Sequence, residues 1–267
     1  MPEVKKTSIV TLLTDFGTED GYVGAIKGVI LREYPLAQLT DISHSITAFN
    51  FRQAAFSLLN YAYYFPVGTI HLVVVDPGVG SSRQGLVIKS SDYYFVGPDN
   101  GVFSHIFQSA AFTAWRIRED LFGQNVSPTF HGRDVFAPAV VRLLKKESPE
   151  VFCEPVEHLY SFYESYEVLD DRHYRLKVIQ VDHFGNLILN FNLSEWRNLG
   201  SPPDIRVQIN HSFLYGIKKT FAEVDQGQIV LTWDSRGFLQ IAQNCGNASH
   251  ALKMKEGDHI LLTITHS

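Results

Sequence analysis

The spacing of hydrophobic and polar positions changes character partway along the chain. In the first half, β-branched apolar runs alternate with stretches whose apolar residues recur every three or four positions. Ser8–Leu13 is such a run and leads into the polar TDFG, which predicts a buried strand and a loop. Asp20 is placed to cap a helix with Val23, Ile26, Ile30 and Tyr34 on one face, stopped by Pro35. Leu39–Ile42 predicts a short strand. Asn50 is placed to cap a second helix through Phe56, Leu59 and Tyr63, ending before Pro66. Thr69–Val75 predicts another buried strand, running into DPGVG. Gln84–Ser90 and Tyr93–Val96 read as a hairpin closed by Gly97 and Pro98. A last helix is expected from Val135 to Lys146, with Asp134 as its cap and Pro138 in its first turn. Strand–helix–strand order predicts an α/β domain with a parallel or mixed sheet, over residues 1–155.

The pattern weakens over residues 156–172, which are rich in Glu, Tyr and Ser and read as a connector. From residue 173 to 267 nearly every signal is strand: RLKVIQV, NLILNF, IRVQI, GQIVLTW and HILLTITH, separated by Gly, Asn and Asp turns. This predicts a smaller antiparallel β-barrel or sandwich.

Composition narrows the function classes. The chain has 267 residues, 45% hydrophobic and 19% charged, with a net charge of -5. That length accommodates two cores, and no basic run supports a nucleic-acid partner. Lys5, Lys6, Lys145 and Lys146 read as solvated charges. No apolar run reaches the roughly 18–20 residues of a membrane span, and MPEVKKTSIVTLL reads as a first strand rather than a signal peptide. Cys153 and Cys245 lack metal-ligand spacing and are expected as free thiols in a reducing cytoplasm.

Five loops carry candidate chemistry. Asp15 and Asp76 each follow a predicted strand, and ligands of such sheets bind beyond the strands' carboxyl ends. Asp15 suits a vicinal diol such as a ribose, or an Asx-turn or helix cap. In VVVDPGVGSSR, Asp76 is held extended by Pro77, the glycines admit close backbone approach, and Arg83 can return to Asp76. A turn braced by a surface ion pair is the alternative. His131, in the polar turn TFHGRD, offers an accessible acid–base group or a surface histidine. Asp182, Phe184 and Asn186 in VDHFGN suit an adenine and an ammonium, or an ordinary turn. Ser235 and Arg236 could hold a carboxylate through the guanidinium fork, or form a plain hairpin turn.

TDFG, DISHSIT, DPGVGSSR, TFHGRD, DHFGN and SRG occur in one order over residues 8–265, and in this the chain resembles the S-adenosyl-L-methionine hydroxide adenosyltransferase family, relatives of the enzymes that fluorinate or chlorinate the same substrate. The resemblance implies an N-terminal α/β domain, a C-terminal β domain and a cytoplasmic homotrimer, with substrate between the N-terminal domain of one subunit and the C-terminal domain of the next. It implies Asp76, Arg83 and His131 as the water-handling triad. Asp15 would bind the ribose hydroxyls and Phe49 would line the pocket. Asp182 would hold the methionine ammonium, Phe184 would pack on adenine and Asn186 would read its edge. Ser235 and Arg236 would face the methionine end.

The halogenating relatives carry Tyr where this chain has Asp76, and Tyr-Ser where it has His131-Gly132. The resemblance therefore implies hydrolysis to adenosine and methionine, with no cofactor and no metal. Two rivals remain: a metal-dependent hydrolase using Asp15, Asp76, His131 and Asp134, and a non-catalytic sensor of the same ligand.

Overall fold

A computed structural model describes residues 8–123, 125–202, 204–209 and 212–264. Lys5 and Lys6 therefore lie outside the described residues. The chain divides into two compact units, which meet in sequence between Phe162 and Tyr163. That point falls inside the expected connector.

The first unit opens with β1 (Ile9–Thr14), α1 (Tyr22–Glu33), β2 (Gln38–Ser43), α2 (Phe51–Tyr61) and β3 (Ile70–Val74). The antiparallel pair β4 (Gly85–Ser90) and β5 (Tyr93–Pro98) follows, then α3 (Ser104–Ser109), β6 (Phe112–Ile117), α4 (Ala137–Leu144) and β7 (Cys153–Pro155). The sheet order is β2-β1-β3-β5-β4-β6-β7. The first four of these strands run parallel, and the other three join antiparallel. The mixed sheet is the expected one, and its central strands are apolar on both faces. Leu12, Leu72 and Val74 pack with Ile26 and Ile30 of α1 and Val140 of α4. Leu13, Val73 and Val75 pack on the opposite face with Ala54 and Leu58 of α2 and with Phe95 and Phe103. Burial on both faces is why these strands read as continuous hydrophobic runs.

Two expected caps are corrected. Asp20 does not cap α1; Gly21 does, in the left-handed region at φ 71°, with no side-chain bond. A glycine reaches that conformation without steric cost, so no side-chain cap is needed to start the helix. Asp134 does not cap the last helix either. Phe130 O already accepts from the backbone N–H groups of Arg133 and Asp134. The chain is thus coiled one turn earlier, through a π-helical turn Gly132–Phe136 that runs into α4. Asn50 is the cap of α2, accepting from Gln53 N, and Pro138 sits in the first turn of α4.

The second unit holds β8 (Glu167–Val168), β9 (His173–Val181), β10 (Leu187–Asn192), α5 (Leu193–Asn198), β11 (Ile205–Ile209), β12 (Ser212–Tyr215), β13 (Ile229–Trp233), β14 (Phe238–Gln243), α6 (Ala248–Leu252) and β15 (His259–Ile264). Its strands form one antiparallel sheet in the order β12-β11-β15-β9-β10-β14-β13, with β8 beside β9. Inward Tyr174, Leu176 and Val178 alternate with outward Arg175 and Lys177, the period of a sheet with one buried face. A parallel bridge from Lys218 to Thr232 brings the chain after β12 onto β13, so the sheet curls toward a barrel rather than splitting into a sandwich. Among the described residues no helix is long and apolar enough to cross a membrane.

Candidate active site

Strands β1 and β3 are parallel neighbours paired Thr14 to Val74. Asp15 and Asp76 therefore leave the same edge of the sheet, one and two residues beyond that pair. Asp15 is neither an Asx-turn nor a cap: its Oδ2 accepts the backbone N–H of Phe49 at 2.8 Å, across 34 residues. Phe49 is exposed and held at φ 68°, a region costly for a side chain of that size. The structure thus joins two residues that only the resemblance had associated. The turn after Asp15 is anchored through His44, whose carbonyl accepts Gly17 N–H at 2.8 Å. The His44 ring meets Thr14 Oγ1 at 2.9 Å and lies 3.1 Å from Asp41.

The loop from Asp76 to Arg83 folds back on itself. Arg83 Nε donates to both Asp76 oxygens at 2.9 and 3.0 Å, and Nη2 donates to Oδ2 at 2.6 Å. Such a forked pair fixes the guanidinium plane. The pair is not a surface brace, because the two side chains are only 8% and 5% exposed. Arg83 Nη2 also reaches His131 Nδ1 at 2.8 Å, 48 residues away. Gly80 makes this meeting possible. At φ 76° it passes so close to the turn before His131 that a Cβ there would stand 2.5 Å from Pro128 O.

His131 is corrected in one respect. It was expected to be accessible, and its side chain is 8% exposed. Its neighbour Gly132 lies against α1 and β3, where a Cβ would meet Ile26 Cδ1 at 3.1 Å and Val74 Cγ1 at 3.4 Å. A guanidinium has donors only, so in this contact Nδ1 is the acceptor and a ring proton belongs on Nε2.

Asp134 is taken up locally by Arg133 and by Ser127 N–H. Its carboxyl is held below the usual range, first by the Arg133 bond. Among the described residues no three His, Cys, Asp or Glu side chains are grouped to hold a metal ion. Of the residues named for the metal-dependent rival, Asp76 and His131 are bonded to Arg83, Asp134 to Arg133, and Asp15 to the backbone N–H of Phe49.

In the second unit Asp182 organises its own loop. Its Oδ1 accepts from Phe184 N and Asn186 N at 2.9 Å, and its Oδ2 accepts from Asn186 Nδ2 at 2.8 Å. Phe184 is left exposed. Gly185 lies flat against Asn247, whose side chain caps α6; a Cβ at Gly185 would stand 2.2 Å from it. Asn247 and Asp234 are the residues that sequence reasoning missed here. Asp234 receives Arg236 Nε at 2.7 Å and Nη2 at 2.5 Å. The Arg236 fork, expected to be free for a ligand carboxylate, is therefore engaged within its own turn. Partial burial lowers the guanidinium pKa, against the pull of Asp234 and Asp182. That second carboxylate places the two loops in one electrostatic neighbourhood. Ser235 is exposed beside them. Cys153 is buried, its thiol pushed up to about 12 by desolvation, and Cys245 is exposed; both are free.

The first unit is thus a mixed α/β unit with a buried Asp–Arg–His cluster at its strand ends, and the second an antiparallel β unit with two polar loops. The profile of the SAM hydroxide adenosyltransferase N-terminal domain matches residues 10–153, and that of the C-terminal domain matches residues 176–261. The chain belongs to this family. A relative in Methanocaldococcus jannaschii, named (R)-S-adenosyl-L-methionine hydrolase, is 36% identical over 94% of each chain. The crystal structure of an uncharacterized conserved protein from Thermotoga maritima superposes with a TM-score of 0.86 at 35% identity, covering 95% of this chain and 99% of that one. A fluorinase from an Actinoplanes species is more distant, 22% identical over 96% of each chain.

Proposed function

We propose that this chain hydrolyses (R)-S-adenosyl-L-methionine to adenosine and L-methionine, by attack of water at the ribose C5′. The observation that carries the reading is the buried Asp76–Arg83–His131 cluster, assembled from two loops at the strand ends of the first unit. The sulfonium leaves as a neutral thioether and needs no acid. What remains is to hold one water in line and to receive its proton. Near-attack positioning of this kind supplies up to roughly 7–11 kcal/mol.

The bonds of each residue support a part for it. Arg83 immobilises Asp76 and His131 together. Asp76 Oδ1 accepts a single Arg83 hydrogen, which leaves it a lone pair to orient the water. His131 takes the proton at Nδ1 once Arg83 lets go of that atom. Gly132 has neither a hydroxyl for a halide nor space for one, which favours water over fluoride or chloride as the nucleophile. The 36% against 22% identities point the same way.

Recognition falls to the other loops. We assign Asp15 to the ribose hydroxyls and Phe49 to the pocket wall. Asp182 would take the methionine ammonium, Phe184 the adenine face and Asn186 the adenine edge. Ser235 and Arg236 would sit at the methionine end, where Asp234 holds the guanidinium for use as a positive wall. The reaction as written requires no cofactor and no metal. A cytoplasmic homotrimer, with the two residue sets drawn from neighbouring subunits, completes the proposal.

The test is to incubate the purified protein with resolved sulfonium epimers, with and without fluoride or chloride, and to separate the products. Adenosine and methionine from the (R) epimer are expected, with no halogenated nucleoside. A halogenated nucleoside would overturn the nucleophile, and an unchanged substrate bound tightly would favour a sensor.

A further inference from the structure

The cluster described above leaves two groups incompletely served. Arg83 Nη1 is buried and has no hydrogen-bond partner. His131 Nδ1 is served only while the ring is neutral. Once that atom is protonated it is a donor facing the donor Nη2 of Arg83, and the contact becomes repulsive.

One further carboxylate stands beside both atoms. Glu119, in the one-turn helix Glu119–Phe122 after β6, has Oε1 at 3.7 Å from His131 Nδ1 and 3.8 Å from Arg83 Nη1. Both distances exceed a hydrogen bond and are close enough for a small side-chain movement to make either one. Its side chain is 38% exposed, whereas the three others are 5–8% exposed. Arg83 and Glu119 also line a cleft of about 330 Å³ with Ser81, Arg116 and Arg118. Arg118 is itself bonded to Asp120, so it does not compete for Glu119.

We infer that Glu119 is a positioning residue for the hydrolysis: it holds the second amino group of Arg83 and accepts the Nδ1–H of His131 when Arg83 gives way. This rests on the hydrolytic reading of the site. In each turnover the C5′–O bond forms from water and the C5′–S electron pair goes to sulfur. One water proton must then leave a site whose other members are buried. With Asp76 paired to Arg83, Glu119 supplies the negative charge that a protonated His131 requires.

The experiment compares wild type, Glu119→Gln and Glu119→Ala on (R)-S-adenosyl-L-methionine, with and without added formate. Glutamine keeps the shape and removes the charge. Both variants are expected to lose kcat about tenfold, less than the roughly 10²–10⁴-fold typical of a group that transfers the proton itself. KM should stay within about twofold, because the residue touches the triad and not the substrate. Formate, entering the cleft, should restore part of the alanine variant's kcat and leave wild type unchanged. A glutamine variant with wild-type kcat overturns the inference. So does a loss shared between kcat and KM, or an alanine variant that formate does not rescue. If wild type itself releases no adenosine, the hydrolytic reading fails; if wild type is active and the variants match it, only the role of Glu119 fails.

Discussion

Two aspartate–arginine pairs, one in each unit, look alike in isolation and differ in what they are tied to. Asp76–Arg83 and Asp234–Arg236 are both forked and mostly buried, with side chains 5% and 8% exposed in the first and 7% and 16% in the second. Arg83 Nη2 also donates to His131, 48 residues away. The Asp234 bonds to Arg236 N and Phe238 N span two and four residues. Under the proposed function, the pair that ties two loops together serves the chemistry, and the pair bonded to its own turn serves recognition. The difference predicts a kinetic split: damage to the first should appear in kcat and damage to the second in KM.

The largest effect is expected for Arg83→Lys. Lysine cannot fork across Asp76 and still reach His131, so kcat should fall roughly 10³-fold with affinity little changed. Steady-state kinetics together with calorimetric binding would check it, and a pure affinity loss would break the comparison. Next, His131→Gln should lower kcat roughly 10²-fold by the same assay. Arg236→Lys should do the opposite, raising KM about tenfold with kcat intact, the cost of one lost charge-assisted contact. Gly185→Ala places a Cβ against Asn247 at a positive φ. It should destabilise by about 1–3 kcal/mol in urea unfolding and raise KM severalfold.

The smallest effect concerns Asp134, whose bonds to Arg133 depress its carboxyl pKa. Its folded value lies below its unfolded one, so it contributes stability at neutral pH that is lost as pH falls through the folded value. The pair is largely solvent-screened, so Asp134→Asn should remove at most about 1 kcal/mol of this acid-sensitive stability. Unfolding titrations at pH 7 and pH 3 would measure it.

The legibility of these features in the sequence follows their range. The sheet edge carrying Asp15 and Asp76 could be read, because a buried parallel strand leaves a plain run of apolar residues. The Asp76–Arg83 pair could be read too, since a glycine-bearing loop of eight residues allows few other folds. That His131 closes on Arg83 came only from the resemblance: the docking depends on Gly80 against Pro128 O, a contact between distant loops. The caps assigned to Asp20 and Asp134 failed because each helix is started by its backbone, through Gly21 and Phe130, while cap propensity speaks only for side chains. Asp234 was passed over because its role appears only once the turn is closed on it. Glu119 carries no local signal of this kind, because it comes near Arg83 and His131 only when distant loops are folded together.

The central claim is that water attacks C5′ under the control of the Asp76–Arg83–His131 cluster, and oxygen labelling tests it most directly. The reaction would be run in ¹⁸O-enriched water, and the products examined by mass spectrometry. The account predicts one heavy oxygen in the 5′-hydroxyl of adenosine and none in methionine, with Arg83→Lys slowing its appearance. Adenosine without label, or label in an amino-acid product, would contradict it.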